Sequence, residues 1–86
     1  MSVPVTIYTT PYCPYCIRAK QLLEHKQVLF TEVDLSREPA QVRTELTAKT
    51  RHRTVPQIFI GEQFIGGCDD LFNLERQGKL DGLLAG

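Results

Sequence analysis

Cys13 and Cys16 stand three positions apart in Cys13-Pro14-Tyr15-Cys16, just after the β-branched stretch Val3-Pro4-Val5-Thr6-Ile7-Tyr8. The thiolate is the nucleophile of sulfur chemistry, and the start of a helix lowers the energy of an anion placed there. Pro14 suits a first helical turn, because its missing N–H would have no intrahelical partner. That reading sets Cys13 at a helix start, with its sulfur exposed and open to free backbone N–H groups. Cys16 falls about one turn later, on the inner side. A thiol so placed attacks a mixed disulfide on Cys13 and releases the partner as a thiol. The expected redox couple is the Cys13–Cys16 dithiol and its disulfide.

The rest of the composition narrows the setting. The third cysteine, Cys68, is remote from the pair. Structural zinc needs four ligands, and beyond the cysteines the chain offers only His25 and His52, without a second pair at finger spacing. A disulfide-stapled secreted domain usually carries an even cysteine count. The first residues show neither the basic start nor the long apolar stretch of a secretory signal. A reducing cytoplasm is therefore the expected location. Ten Lys+Arg balance ten Asp+Glu, so no basic field points to nucleic acid. No apolar run reaches the ~18–20 residues of a membrane helix. At 86 residues the chain is expected to form one domain, 1–86.

The elements that must position the dithiol can be read along the chain. Residues 3–8 predict a short buried strand that ends in the Thr9-Thr10-Pro11 turn. A helix follows, with Ile17, Ala19, Leu22 and Leu23 as its apolar face. Val28 to Leu35 predicts a second strand, with Leu29, Val33 and Leu35 on one face. Ser36 is the expected cap of a helix from about Pro39 to Lys49, carrying Val42 and Leu46 inward. Thr50-Arg51-His52-Arg53 reads as a polar connector. Residues 56–60 and 63–65, joined by Gly61-Glu62, predict a β-hairpin, and Gly66-Gly67 breaks the sheet. Asp69 and Asp70 open a last helix with Gly78 at its C′ position, and Leu80, Leu83 and Leu84 dock a final turn. The order β-α-β-α-β-β-α makes the first two strands parallel by a right-handed crossover. A four-stranded mixed sheet flanked by helices follows, an α/β architecture.

Cys13-Pro14-Tyr15-Cys16, Thr54-Val55-Pro56 and Gly66-Gly67-Cys68-Asp69-Asp70, in that order and spacing, resemble a dithiol glutaredoxin of the thioredoxin-like superfamily. The resemblance spans nearly the whole chain. It implies a glutathione-dependent thiol–disulfide oxidoreductase that reduces protein–glutathione mixed disulfides and protein disulfides. Glutathione would be a cosubstrate, with no metal and no tightly bound cofactor. Glutathionylated or disulfide-containing proteins would be the partners, and ribonucleotide reductase is a candidate because some bacterial members donate electrons to it. A monomer is expected.

The resemblance also assigns residues. X-Pro bonds are cis in only about 5–6% of cases in folded proteins, so the residues alone predict a trans Val55–Pro56 bond. The resemblance implies a cis proline beside the reactive sulfur, with Val55 pairing to the glutathione cysteine like an added strand. It implies a γ-glutamyl carboxylate near the N–H groups of Cys68 and Asp69, an amine held by Asp69 or Asp70, and close approach at Gly67. One of the two aspartates needs no role beyond capping. Tyr15 and Thr54 complete the implied contact set, with Arg43 as a cation for the glycine carboxylate. Two positions depart from the family pattern: Thr10 replaces a frequent lysine before the first cysteine, and Arg51 replaces a frequent glycine after the second helix. Two other functions remain open: a redoxin fed by thioredoxin reductase, and a carrier of a glutathione-ligated iron–sulfur cluster.

Overall fold

The computed structural model describes residues 3–85. Strands β1 (Val5–Thr9), β2 (Phe30–Asp34), β3 (Gln57–Ile60) and β4 (Gln63–Gly66) alternate with helices α1 (Pro14–His25), α2 (Ala40–Thr50), α3 (Cys68–Arg76) and α4 (Leu80–Ala85). The sheet order is β2-β1-β3-β4. β1 and β2 run parallel, whereas β3 is antiparallel to both β1 and β4. The mixed four-stranded sheet flanked by helices is the thioredoxin-like architecture expected from the motif order.

Side chains that alternate along the central strands divide the interior into two layers. Val5, Ile7, Ile58 and Ile60 face Ala19, Leu23, Cys68, Leu71, Leu80 and Leu84, so α1, α3 and α4 cover one side. On the other side Phe59 packs with Leu35 and Leu46, and Tyr8, Val42, Val55 and Phe64 join them. The Phe59 ring meets Tyr8 edge-on at 5.7 Å and Phe64 at a tilt, 5.3 Å between centroids. Lys49 lies over the same ring at 5.3 Å, a cation–π contact.

Three expectations change. β2 begins at Phe30, because the ladder with β1 starts at Val5↔Phe30; Leu29 lies beyond it and is exposed. Ser36 does not cap α2. It sits inside a 3-10 turn, Leu35–Arg37, where the Asp34 carboxylate accepts from its N–H (2.9 Å) and its hydroxyl (2.6 Å). That turn drops Leu35 into the layer beneath α2, and α2 starts after Pro39 without a side-chain cap. Ile17 is also exposed: the buried face of α1 follows Cys16, Ala19 and Leu23, and Ile17 is rotated out of it.

α3 ends as Gly78 predicts. Gly78 has φ 72, and the bonds Gly78 N–H to Glu75 O (3.0 Å) and Lys79 N–H to Leu74 O (2.9 Å) form a Schellman closure. Lys26, just past α1, reaches Glu75 of α3 and Asp81 of α4, each at 2.7 Å. This links the short terminal helix to the two helices beneath it.

Leu71 is fully buried and joins α3 to the sheet. Leu71→Ala is expected to cost about 2–5 kcal/mol of unfolding free energy, measured by urea denaturation. A loss below ~1 kcal/mol would mean that α3 is not packed as described.

Candidate active site

The strand-to-helix turn explains how one sulfur is exposed and its partner hidden. After β1 the chain turns through Tyr12, whose φ of 59 is unusual for a residue with a side chain. Cys13 is then extended (φ −105, ψ 106) and serves as the N-cap of α1, with Pro14 in the first turn. The Cys13 Sγ accepts from the Cys16 N–H at 3.2 Å. A sulfur therefore does what a serine or aspartate oxygen does at other helix starts. Cys13 is partly exposed and Cys16 is buried.

Burial, and then its hydrogen bond to Cys13, push the Cys16 thiol up to about 12, against the opposing pull of the Thr10 backbone and Lys20. Cys16 thus keeps its proton while Cys13 is free to attack. Thr10 brings no cation to this turn. Lys20 is the nearby ammonium, held by Glu32 at 3.0 Å, and Glu32 also accepts from the Thr9 hydroxyl at 2.7 Å. Those bonds, Thr9 first, hold the Glu32 carboxyl below its ordinary value.

Across from the dithiol, the Val55–Pro56 bond is cis, against the trans expectation from the residues alone and with the one from the resemblance. The Val55 carbonyl lies 3.9 Å from the Cys13 Sγ. A buried residue that the sequence reading passed over secures this segment: the Gln57 amide donates to the His52 carbonyl and, at 3.1 Å, to the Thr54 carbonyl. Its oxygen accepts from the Thr50 hydroxyl at 2.9 Å. Every side-chain polar group of Gln57 is thereby used, as burial demands. The only signal in the sequence was a polar residue opening an otherwise apolar strand. Arg51 ends α2 at φ 58, the left-handed conformation that glycine would favour.

Tyr15, His52, Thr54, Val55, Pro56, Gly67, Cys68, Asp69 and Asp70 line one groove of about 350 Å³. The structure thus gathers all the expected residues beside the dithiol except Arg43, which lines a neighbouring cavity with Leu35 and Ala40. Its guanidinium donates to the Arg53 carbonyl at 3.2 Å. His52, expected at the surface, is a groove residue whose ring packs edge-on against Phe64 at 5.6 Å. Nothing in the connector sequence singled it out.

The two aspartates have different duties. The Asp70 carboxylate accepts from the Gly67 N–H at 3.0 Å and so caps α3. Asp69 is exposed and forms no ion pair among the described residues. Gly66 has φ 113, and a Cβ there would run into Asp70, so the close turn into α3 requires glycine. Cys68 is buried and burial raises its thiol, which leaves its backbone rather than its sulfur to the groove.

A dithiol at the first strand-to-helix turn, beside Val55-Pro56 at the same edge of a mixed sheet, defines a thiol–disulfide oxidoreductase of thioredoxin-like fold. The glutaredoxin family model matches residues 5–65. The glutaredoxin of Pseudomonas aeruginosa is 60% identical over 82 residues, covering 95% of this chain and 96% of its own. Glutaredoxin 3 of Escherichia coli strain K12 is 51% identical over 80 residues, 93% of this chain and 95% of that one. Among solved structures, the buckwheat glutaredoxin–glutathione complex superposes with a TM-score of 0.91 at 34% identity, over 95% of this chain and 76% of that one. The solution structure of Brucella melitensis glutaredoxin gives 0.85 at 52% identity, over 98% and 90%. The chain belongs to the glutaredoxin family and is a glutathione-dependent thiol–disulfide oxidoreductase.

The contrast between the sulfurs can be measured. A thiol with a pKa near 12 is ionised to about 10⁻⁵ at pH 7, against a few per cent for an ordinary cysteine. Brief iodoacetamide treatment of the reduced protein at pH 7, read by peptide mass spectrometry, should label Cys13 and spare Cys16 and Cys68. Equal labelling of Cys13 and Cys16 would contradict the arrangement.

Proposed function

We propose that the groove holds glutathione and that Cys13 is the nucleophile of a cycle acting on protein–glutathione mixed disulfides and on protein disulfides. The observation that carries this reading is the Cys13 sulfur, 3.2 Å from its capping N–H and 3.9 Å from the Val55 carbonyl, beside the open start of α3. The relative solved with glutathione supports it. Val55 offers the cysteine of glutathione strand-like backbone pairing. The N–H groups of Cys68 and Asp69 suit the γ-glutamyl carboxylate. Asp69 suits the adjacent ammonium, because Asp70 is already engaged as a cap. Tyr15, Thr54, Pro56 and Gly67 supply the walls. Arg43, outside the lining, acts on the glycine carboxylate as a more distant charge.

In deglutathionylation the Cys13 thiolate attacks the glutathione sulfur. A Cys13–glutathione disulfide forms and the substrate sulfur leaves as a thiolate that takes a proton. A second glutathione then attacks that disulfide, giving oxidised glutathione and free Cys13. With a protein disulfide, Cys13 forms a mixed disulfide with the partner. Cys16 attacks the Cys13 sulfur, releases the partner's second thiol and closes the Cys13–Cys16 disulfide, which two glutathiones reopen. The two sulfurs and glutathione as cosubstrate supply all the chemistry. Regeneration by glutathione fits a monomer working in a reducing cytoplasm. Disulfide-containing enzymes such as ribonucleotide reductase are proposed partners.

The test is turnover of a small glutathione mixed disulfide, with glutathione and glutathione reductase recycling. Cys13→Ser should abolish it, whereas Cys16→Ser should retain it and lose reduction of protein disulfides by the dithiol route. Equal loss from both substitutions in both assays would mean that the two roles are misassigned.

Recognition is tested separately. Exposed ion pairs are worth only about 0–1 kcal/mol each, so Asp69→Asn should raise KM for glutathione substrates up to about fivefold with kcat nearly unchanged. Arg43→Gln should do less, and both effects should shrink as salt is added. Unaltered KM for Asp69→Asn at low salt would place the amine elsewhere.

A further inference from the structure

Glutathione brings two carboxylates and one ammonium to the groove, and the lining answers them unevenly. Asp69 and Asp70 are its acids, and no Lys or Arg stands among the described residues that line it. The lining side chain able to carry a positive charge is His52. Its Nε2 lies 4.0 Å from where a Cβ on Gly67 would stand. The imidazole therefore faces the residue immediately before the Cys68 and Asp69 N–H groups. Its ring is steadied edge-on by Phe64 of β4. The backbone is fixed as well: the His52 N–H donates to the Thr50 hydroxyl at 3.2 Å, and the His52 carbonyl accepts from the Gln57 amide. These are main-chain bonds, and they leave both ring nitrogens to the groove.

We infer that His52 is a further recognition residue, whose imidazolium donates from Nε2 to the γ-glutamyl carboxylate, so that glutathione is held more tightly as pH falls. The inference rests on the glutathione reading of the groove. That carboxylate is otherwise met only by backbone N–H groups with partial charges. An imidazolium adds a full charge and a directed donor. Histidine is the side chain whose charge changes between about pH 5 and 8, so the contact is graded across that range. Cations on the neighbouring elements do not take its place. Lys49 of α2 lies over the Phe59 ring. Arg53 lines the neighbouring cavity with Arg43, and Arg51 is exposed outside the lining. From α3, Asp70 holds the Gly67 N–H, and Asp69 is the partner proposed for the ammonium. Burial raises the Cys68 thiol and so keeps it neutral. From the start of α1 come Tyr15 and the two sulfurs of the dithiol. Strands β3 and β4, which place Gln57 and Phe64 against His52, carry no charged side chain.

The experiment measures KM and kcat for the mixed disulfide of glutathione with β-mercaptoethanol, with glutathione and glutathione reductase recycling, at pH 6 and pH 8. Wild type is compared with His52→Gln, which stays polar and loses the charge, and with His52→Arg, which is charged at both values. Ratios between proteins at one pH cancel the changes that Cys13 and the reducing glutathione undergo. His52→Gln should raise KM about three- to fivefold at pH 6, the upper scale of an exposed ion pair. At pH 8 the same ratio should fall below about 1.5-fold, with kcat nearly unchanged at both. His52→Arg should match the wild type at pH 6 and show the lower KM at pH 8. Converting the γ-glutamyl carboxylate of the substrate to a carboxamide should erase the difference between wild type and His52→Gln, whereas amidation of the glycine carboxylate should leave it. A side chain that only packs on Phe64 would give equal KM ratios at the two pH values. That outcome, equal KM for wild type and His52→Gln at pH 6, or a difference that survives γ-glutamyl amidation would overturn the inference. Absence of mixed-disulfide turnover in the wild type would instead overturn the glutathione reading on which it rests.

Discussion

The antiparallel pairing of β1 with β3 is the constraint from which the reactive geometry follows. Tyr8 pairs with Gln57, so the end of one strand and the beginning of the other lie at the same edge of the sheet. The chain leaves β1 into the dithiol turn and enters β3 from Val55-Pro56. Two segments more than forty residues apart are thereby brought face to face, and the Cys13 sulfur meets the Val55 carbonyl. β4, hydrogen-bonded to β3, returns to the same edge and hands over to α3 through Gly66 and Gly67. Three loops that share one rim are all a small thiol substrate needs. α1 and α3 start at that rim and bring Cys16 and the Cys68-Asp69-Asp70 segment to it.

Within that frame the two cysteines acquire opposite characters from one turn of helix. Capping α1 places the Cys13 sulfur where a free N–H already points and leaves it partly exposed to an incoming disulfide. Cys16, three residues on, rotates beneath the sheet edge and is desolvated. A desolvated thiol is a poor competitor for incoming substrate but is positioned to attack a disulfide formed on its neighbour. Division of labour here is a matter of rotation about a helix axis, not of different chemistry.

Much of this was legible from the residues. The dithiol turn, the β-hairpin and the Gly78 helix ending each depend on local rules, and they stand where those rules put them. Leu29, Ile17 and Ser36 were misplaced because periodicity marks which residues are apolar and not where a ladder begins or which neighbour reaches a free N–H first. Asp34, two positions earlier, caps the 3-10 turn that holds Ser36, and α2 goes without a side-chain cap. The cis bond before Pro56 was legible only by resemblance, since its local base rate points the other way. His52 and Gln57 could not be read at all. One enters the groove because its loop is folded back, and the other is fixed by carbonyls three and five residues before it.

The turn into α3 shows how such a site constrains its own descent. Gly66 carries φ 113 and lies where a Cβ would strike the Asp70 carboxylate, while that carboxylate holds the Gly67 N–H. The two positions are therefore one heritable unit. A side chain at 66 demands a smaller residue at 70, and a smaller residue at 70 gives up the cap that orients the helix start. Even the paired change leaves the backbone in a conformation that side chains resist. The left-handed backbone at Gly66 and the cap on α3 thus meet at one carboxylate, and a change at either position is felt at the other.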